Sequence, residues 1–425
     1  MDSQIAVVGA GYVGLTTAAG FAEMGFTVTC ADIDQRRIDD LNEGRVPIHE
    51  DGIAELIQSN VDAGRLRFVV GAGPSVVDQD FVFICVPTPE LPDGSADMSY
   101  VHAVAAEIGP MLKPGAIVVN KSTVPVGSLR QVEGFLDRAD VAVASNPEFL
   151  REGSAVMDFF TPDRIVVGAD DPEVAARVGE LYRSVQAPVL LTDPVSSETI
   201  KYAANSFLAT KLSFVNALAA VCEAVGADID EVVLGLGYDK RVGHGFLKPG
   251  PGWGGSCFPK DTEALIQIAE AAGYDFALLR GVIEVNREQF ERMVDKIERA
   301  LDGPIAGSRI AALGLTFKAG TDDLRQSPAL EIITRLIEKG ATIRAYDPVI
   351  FNSPIDGVVL ATDSYSACTD ADVVVVLTEW DEFRLMDLDR LASIVARRSV
   401  VDTRNVLDRA ALTRLNFTYE GVGRR

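Results

Sequence analysis

The chain has 425 residues, 48% hydrophobic and 24% charged, a composition ordinary for a soluble globular protein but a length too great for one ordinary core, so two or three domains are expected. Its 39 basic and 62 acidic residues leave a net charge of −23, which argues against nucleic acid or an anionic membrane as a partner and requires any anionic substrate to find a locally basic pocket. The five cysteines, Cys30, Cys85, Cys222, Cys257 and Cys368, are scattered with no C-x-x-C spacing, so neither a disulfide framework nor a metal site is expected, and a reducing cytoplasm is.

A short apolar strand is expected at Ile5–Val8, which leaves no room for a signal peptide before it. It runs into Gly9-x-Gly11-x-x-Gly14, with Tyr12 and Val13 between the last two glycines, and then into an alanine-rich helix to about Met24. The next strand, Thr27–Ala31, ends at Asp32. This is the pattern of a dinucleotide site: the glycines allow the turn, close approach of pyrophosphate and tight helix–strand packing. The helix N-terminus faces the phosphates. A carboxylate at Asp32 bonds a ribose 2′-OH and disfavours a 2′-phosphate, so NAD is expected over NADP, although Arg37 lies five residues on, where it can meet an extra phosphate.

Further buried strands are expected at Phe81–Val86, Ile117–Asn120, Val141–Ala144 and Ile165–Gly168, short apolar runs that alternate with helices. The pattern implies a doubly wound parallel sheet, whose ligands lie beyond the carboxyl ends of the strands. Three polar segments follow those strands. Thr88 lies in Cys85-Val86-Pro87-Thr88-Pro89 and Thr123 in Lys121-Ser122-Thr123-Val124-Pro125; each is placed either to offer a hydroxyl to a ligand or simply to shape a turn. Asn146–Gly153 carries Glu148 and Glu152, which one helical turn would put on a single face.

The middle of the chain reads as helical, from Ser196 to about Ala224 and again from about Thr262 to Leu301. Lys201 and Asn205, four apart, are a cation and an amide suited to a developing oxyanion. No apolar run approaches the ~18 residues needed to span a membrane. Between the helical blocks lies Gly250-Pro251-Gly252-Trp253-Gly254-Gly255-Ser256-Cys257-Phe258-Pro259-Lys260-Asp261. Four glycines let the backbone approach a ligand, and Pro259 suits the first turn of a helix. A cysteine at a helix N-terminus near a lysine suits a nucleophile. Asp261 falls four residues after it, on the same face if a helix starts there.

Asp302-Gly303-Pro304 reads as a hinge. After it, strands at Arg309–Leu313, Thr342–Ala345, Val373–Leu377 and Val400–Asp402 imply a second, smaller α/β domain, without a G-x-G-x-x-G of its own. Arg241, Lys248, Lys318, Arg325 and Arg404 are basic residues near loops or strand ends; such positions can grip phosphates, and each is also an ordinary surface charge.

Assembled, these motifs closely resemble the UDP-glucose/GDP-mannose dehydrogenase family from Gly9 to Arg404, most specifically in Asn146–Gly153, Lys201–Asn205, Gly250–Asp261 and Gly314–Lys318. The resemblance implies two Rossmann-like doubly wound domains joined by an all-helical one: an NAD-binding domain at 1–195, a central dimerisation and active-site domain at 196–302, and a UDP-sugar domain at 303–425. It implies a homodimer and oxidation of UDP-glucose to UDP-glucuronate by NAD, through a cysteine-bound intermediate. GDP-mannose or a UDP-N-acetylhexosamine is the alternative substrate, and a non-catalytic nucleotide-sugar-binding protein the alternative class.

Carried over by motif, the resemblance makes Cys257 the nucleophile and Thr123, Glu148, Glu152, Lys201, Asn205 and Asp261 its partners. NAD contacts fall to Thr88, Thr123, Glu152, Lys260 and Arg325, beside the glycine loop. The sugar nucleotide falls to Phe149, Leu150 and Arg151 next to the two glutamates, to Phe246, Leu247, Lys248, Pro249, Gly250 and Gly254, and to Lys318 and Arg404. Arg241 is expected to reach the partner subunit's site. Arg37 stands where many relatives carry lysine, and Thr403 where glycine is frequent.

Overall fold

The computed structural model describes residues 3–424. Among these residues, fourteen strands form two sheets. The first holds β1 (Gln4–Val8), β2 (Thr27–Asp32), β3 (Leu66–Val70), β4 (Phe81–Ile84), β5 (Ile117–Asn120), β6 (Ala142–Ser145), β7 (Ile165–Gly168) and β8 (Val189–Thr192), in the order β3-β2-β1-β4-β5-β6-β7-β8. Its neighbours are parallel except β6 and β7, which meet antiparallel at Ser145 and Gly168. The second holds β9 (Arg309–Leu313), β10 (Thr342–Tyr346), β11 (Val358–Leu360), β12 (Val373–Val376), β13 (Ser399–Asp402) and β14 (Thr418–Gly421), all parallel, in the order β11-β10-β9-β12-β13-β14. In each sheet the winding reverses beside the first strand, at β1/β4 and at β9/β12, and crevices for ligands open at such points.

Both sheets are buried on both faces, which is why their central strands are continuous apolar runs. Ile5 and Val7 of β1 join one core with Phe21, Phe83 and Val119, while Ala6 and Val8 join the opposite core with Val82, Ile84 and Val118. In the second sheet Ile310 and Ala312 face one way and Ala311 and Leu313 the other.

The chain divides into two compact units, Met1–Ala204 with Glu263–Ala272, and Asn205–Thr262 with Gly273–Arg425. Helix Pro194–Val225 supplies residues to both. The helical block expected from Thr262 to Leu301 is two helices, Phe258–Ala271 and Ala277–Leu301, because Gly273 takes a left-handed φ of +79° between them.

Two other expectations need correction. Helix Pro194–Val225 does contain an 18-residue window of mean hydropathy 1.4, long and apolar enough by length and composition to cross a membrane. Its polar side chains argue for a core helix. Glu198 accepts N–H bonds from Gly127 and Leu129, Lys201 pairs with Glu148, and Asn205 donates to Asp261, all of them buried. The Asn146–Arg151 segment is extended loop rather than a helical turn, so Glu148 and Glu152 do not share a helix face.

Candidate active site

The glycine loop after β1 gives each glycine a separate task. Gly9 has φ +105°, and a Cβ there would meet the Cys85 carbonyl at 2.5 Å. A Cβ on Gly14 would lie 1.7 Å from the Gly9 carbonyl oxygen, so this position needs glycine for helix and strand to pack. Gly11 is different: a Cβ there meets nothing within 4 Å, so the loop leaves open space at its tip. Gly11 is also the N-cap of helix Tyr12–Glu23 and brings no side-chain cap, which leaves the first helical N–H groups for a ligand. Asp32, at the end of β2, accepts from Ala10 N at 2.8 Å and from Asp34 N at 2.9 Å. Arg37 Nη1 donates to the Ala10 carbonyl at 3.3 Å and stands 3.8 Å from Asp32 Oδ2, so it is turned onto the loop backbone.

The loops beyond β4, β5 and β6 converge at the same edge. Thr88 Oγ1 donates to the Thr123 carbonyl at 2.7 Å and ties two of them together. In the third, Glu148 is buried and paired with Lys201. The lysine Nζ lies 2.7 Å from Glu148 Oε1 and 2.7 Å from the Glu148 carbonyl oxygen. Leu150 N donates to the other carboxylate oxygen. Burial alone would raise the Glu148 carboxyl, but the charge and hydrogen bond of Lys201, then the Leu150 N–H and the charge of Lys121, hold it below the usual carboxylate range. Phe149 stacks under the Arg164 guanidinium at 3.7 Å, and Arg151 is engaged by Asp158 at 2.5 Å.

In the second unit, Asp261 N donates to the Cys257 carbonyl at 2.9 Å, so Cys257 sits at the N-terminal end of helix Phe258–Ala271, with Pro259 in its first turn. The helix end favours negative charge there. Asp261 is fully buried; its Oδ2 accepts from Asn205 Nδ2 at 2.6 Å and its Oδ1 from Lys260 Nζ at 2.5 Å. Cys257 is the one cysteine that is not buried. Burial pushes the thiols of Cys85 and Cys368 up to about 12, which makes them inert at neutral pH. The preceding loop is tightly built. A Cβ on Gly254 would lie 1.9 Å from the Gln326 carbonyl oxygen, and Gly252 has φ +124°.

Four buried side chains that sequence reasoning missed hold this loop. Asn286 accepts from Trp253 N at 2.8 Å and donates to the Trp253 carbonyl at 2.9 Å, as a strand partner would. Asn216 accepts from Gly250 N and Gln289 donates to the Gly250 carbonyl. Ser213 accepts from the Trp253 indole. Polar residues at buried helix positions were the available signal. Their partners lie 33 to 40 residues away, and no local pattern reveals such pairs.

The strand ends of the second sheet form another cluster. Arg404 donates to the Leu377 and Phe317 carbonyls, both at 2.8 Å, and a Cβ on Gly250 would stand 3.6 Å from its Nη1. Lys318 Nζ lies 5.5 Å from the Phe317 ring. Thr403, buried and without a positive φ, donates its hydroxyl to the Val376 carbonyl, so no glycine is needed there. Asp347, also missed, repeats the role of Asp32: it directly follows β10 and accepts from Leu315 N, just after Gly314, as Asp32 accepts from Ala10 N just after Gly9. Leu247, Pro249 and Gly250 are buried, while Lys248 is exposed and Phe246 takes a left-handed φ of 58°. Arg241 is 88% exposed and pairs with Asp239; Arg325 pairs with Asp323.

Residues 3–186 match the NAD binding domain of the UDP-glucose/GDP-mannose dehydrogenase family, residues 195–288 its central domain and residues 311–409 its UDP binding domain. The chain belongs to the UDP-glucose/GDP-mannose dehydrogenase family. A UDP-glucose 6-dehydrogenase of Rhizobium meliloti (strain 1021) is 44% identical over 99% of both chains. A UDP-glucose dehydrogenase of Pyrobaculum islandicum superposes with a TM-score of 0.90 at 37% identity, covering 100% of this chain and 98% of its own. A UDP-D-ManNAc dehydrogenase of Pyrococcus horikoshii superposes with a TM-score of 0.88 at 27% identity, covering 99% of each chain.

As a member of this family the protein is an NAD-dependent dehydrogenase, and the glycine loop fits the cofactor: open space at Gly11, uncapped helix N–H groups and the Asp32 carboxylate. The Asp32 charge beside a 2′-phosphate is repulsive in a partly desolvated site. NAD is therefore expected to be preferred over NADP by at least ~100-fold in kcat/KM, or ~2.7 kcal/mol. Equal values for the two cofactors would show that Arg37 overrides Asp32.

Proposed function

We propose that this family member oxidises the C6 alcohol of UDP-glucose to the carboxylate of UDP-glucuronate, consuming two NAD and one water. The observation that carries the reading is the partly exposed Cys257 thiol at a helix N-terminus, next to the buried Asn205–Asp261 pair and the partly buried Lys260, in a chain 44% identical to a UDP-glucose 6-dehydrogenase. The 27% likeness to the UDP-D-ManNAc dehydrogenase is weaker support for an N-acetylated sugar.

NAD, which the Gly9–Gly14 loop and Asp32 would hold, would supply the hydride acceptor for both oxidations at C6, of the alcohol and of the thiohemiacetal. In the first oxidation Lys201 and Asn205 stabilise charge on the sugar oxygen, and water held by Thr123, Glu148 or Asp261 carries the proton away. The Cys257 sulfur then adds to the aldehyde carbon. The second oxidation leaves a thioester on Cys257, and water attack on that carbonyl releases the carboxylate and restores the thiol. The balance is alcohol, two NAD⁺ and water to carboxylate, two NADH and three protons. The covalent bond holds the intermediate while the reduced cofactor is exchanged.

The same reading divides the chain at 1–195, 196–302 and 303–425, with Lys318 and Arg404 holding the nucleotide and Lys260, Arg325 and Glu152 near NAD. It assigns a cytoplasmic homodimer formed by the central helices. Phe207, Phe214 and Val221 support this, being exposed and seven residues apart on helix Pro194–Val225, one apolar stripe along it. The exposed Arg241 would leave its pairing with Asp239 to reach the partner's site. A monomer by analytical ultracentrifugation would exclude the dimer.

Stoichiometry tests the chemistry. Limiting UDP-glucose is expected to yield about two NADH per sugar, as two hydride transfers require. A yield of one with a free aldehyde or ketone rejects the scheme. Turnover with GDP-mannose or a UDP-N-acetylhexosamine in place of UDP-glucose rejects the substrate assignment.

A further inference from the structure

One buried cation in the first unit has no part in that scheme. Lys121 follows β5 and is 5% exposed. Among the described residues no carboxylate lies within ion-pair distance of it; its Nζ donates to Asn146 Oδ1 at 3.0 Å and lies 3.4 Å from the Tyr182 hydroxyl. That hydroxyl donates to the same Asn146 Oδ1 at 2.6 Å. Asn146 is anchored on its other sides as well, its Nδ2 donating to the Val166 carbonyl on β7 and its backbone N–H to the Asn120 carbonyl on β5. Two residues further on, Glu148 offers its carboxylate and its carbonyl to Lys201.

A buried ammonium without a carboxylate partner is costly, and an apolar residue of similar volume would cost less unless the charge or its geometry is used. We propose that Lys121 is a positioning residue, which fixes the Asn146–Glu148 turn through the Asn146 amide and adds a second positive charge to the Glu148–Lys201 pair. The inference rests on the reading of that pair as part of the reaction site.

The groups facing Lys121 are Cys85 after β4, Glu148 after β6, Tyr182, and Lys201 on the long helix. Burial pushes the Lys121 ammonium down to about 8; Cys85 and Glu148 pull it up and Lys201 pushes it further down. Burial keeps the Cys85 thiol up at about 12 and raises the Tyr182 phenol well above its usual range, so neither is charged at neutral pH. The Lys121 charge lowers the Glu148 carboxyl. Its removal therefore raises the proton affinity of Glu148, and the acid limb of the pH–rate profile moves to higher pH.

Three variants separate charge from geometry. Lys121→Gln keeps an N–H donor for Asn146 and loses the charge; its acid limb is expected to move to higher pH. Tyr182→Phe loses the second donor to Asn146 and keeps the charge, so its acid limb stays in place while kcat falls. Lys121→Met loses both; kcat is expected to fall about tenfold to a hundredfold with KM for UDP-glucose little changed. Thermal melts check folding, and the Gln variant carries the test if the Met variant does not fold. A folded Lys121→Gln enzyme with wild-type kcat and acid limb overturns the inference, as does an acid limb that moves in Tyr182→Phe. Lys201→Met is assayed alongside. If it is active, the reading of the Glu148–Lys201 pair falls; if it is inactive while Lys121→Gln is wild-type, only the role of Lys121 falls.

Discussion

Cys257→Ser is expected to lower turnover by ~10³-fold or more, a barrier increase of at least ~4 kcal/mol. Serine is nearly isosteric, and the loop around it is held by backbone bonds to Asn216, Asn286 and Gln289, none of which involves the thiol. Fold and NAD affinity should therefore survive, as a thermal melt and cofactor titration would show. The hydroxyl is a far poorer nucleophile near neutral pH, and an ester is a slower acyl intermediate than a thioester. The defect should lie in the second oxidation or in hydrolysis, and an adduct of the sugar nucleotide on residue 257 is the species to seek by mass spectrometry. Near-wild-type conversion to UDP-glucuronate by the serine enzyme would make Cys257 a turn residue.

The second large effect is expected at Lys201. Its ammonium and the Glu148 carboxylate are 4% and 7% exposed, so removing one leaves the other buried without its ion-pair partner. Lys201→Met should cost about 3–5 kcal/mol of stability for that reason. If Lys201 is the charged donor to the developing oxyanion, as in the proposed mechanism, its loss should lower kcat by about 10²–10³-fold. The two losses are separable: adding Glu148→Gln should restore much of the stability, because the carboxylate that lost Lys201 is then replaced by a neutral amide, without restoring turnover.

The sign of the pH dependence also differs. In the wild type the Glu148 carboxyl is depressed, so its contribution to stability is present above its unfolded pKa and is lost as pH falls through the folded value. In Lys201→Met burial is no longer opposed by that charge. The folded value rises, and stability is instead lost as pH rises through it. Denaturant midpoints across acid to neutral pH read this directly, and a wild-type kcat in Lys201→Met would remove it from the reaction.

The sequence by itself determined the two largely parallel sheets, because strands buried on both faces must be continuous apolar runs. All ten strands expected are present, with ends moved by no more than two residues. The four that were missed, β3, β8, β11 and β14, are the outer strands of the two sheets. An edge strand has one neighbour and partial solvent contact; β3 alternates buried and exposed positions and β8 is largely exposed, so neither reads as a buried run. The same logic divides the site. The glycine loop with Asp32 and the Cys257–Asp261 helix start are local, set by backbone sterics and helix geometry over a few residues, and the sequence shows them. The partners are not local. Asn286 on Trp253, Gln289 on Gly250, Lys201 on Glu148 and Asn205 on Asp261 join residues 33, 39, 53 and 56 apart, and each bond forms because packing buries a polar group that must then be satisfied. Which donor meets which acceptor was decided only when the sheets and helices closed around them.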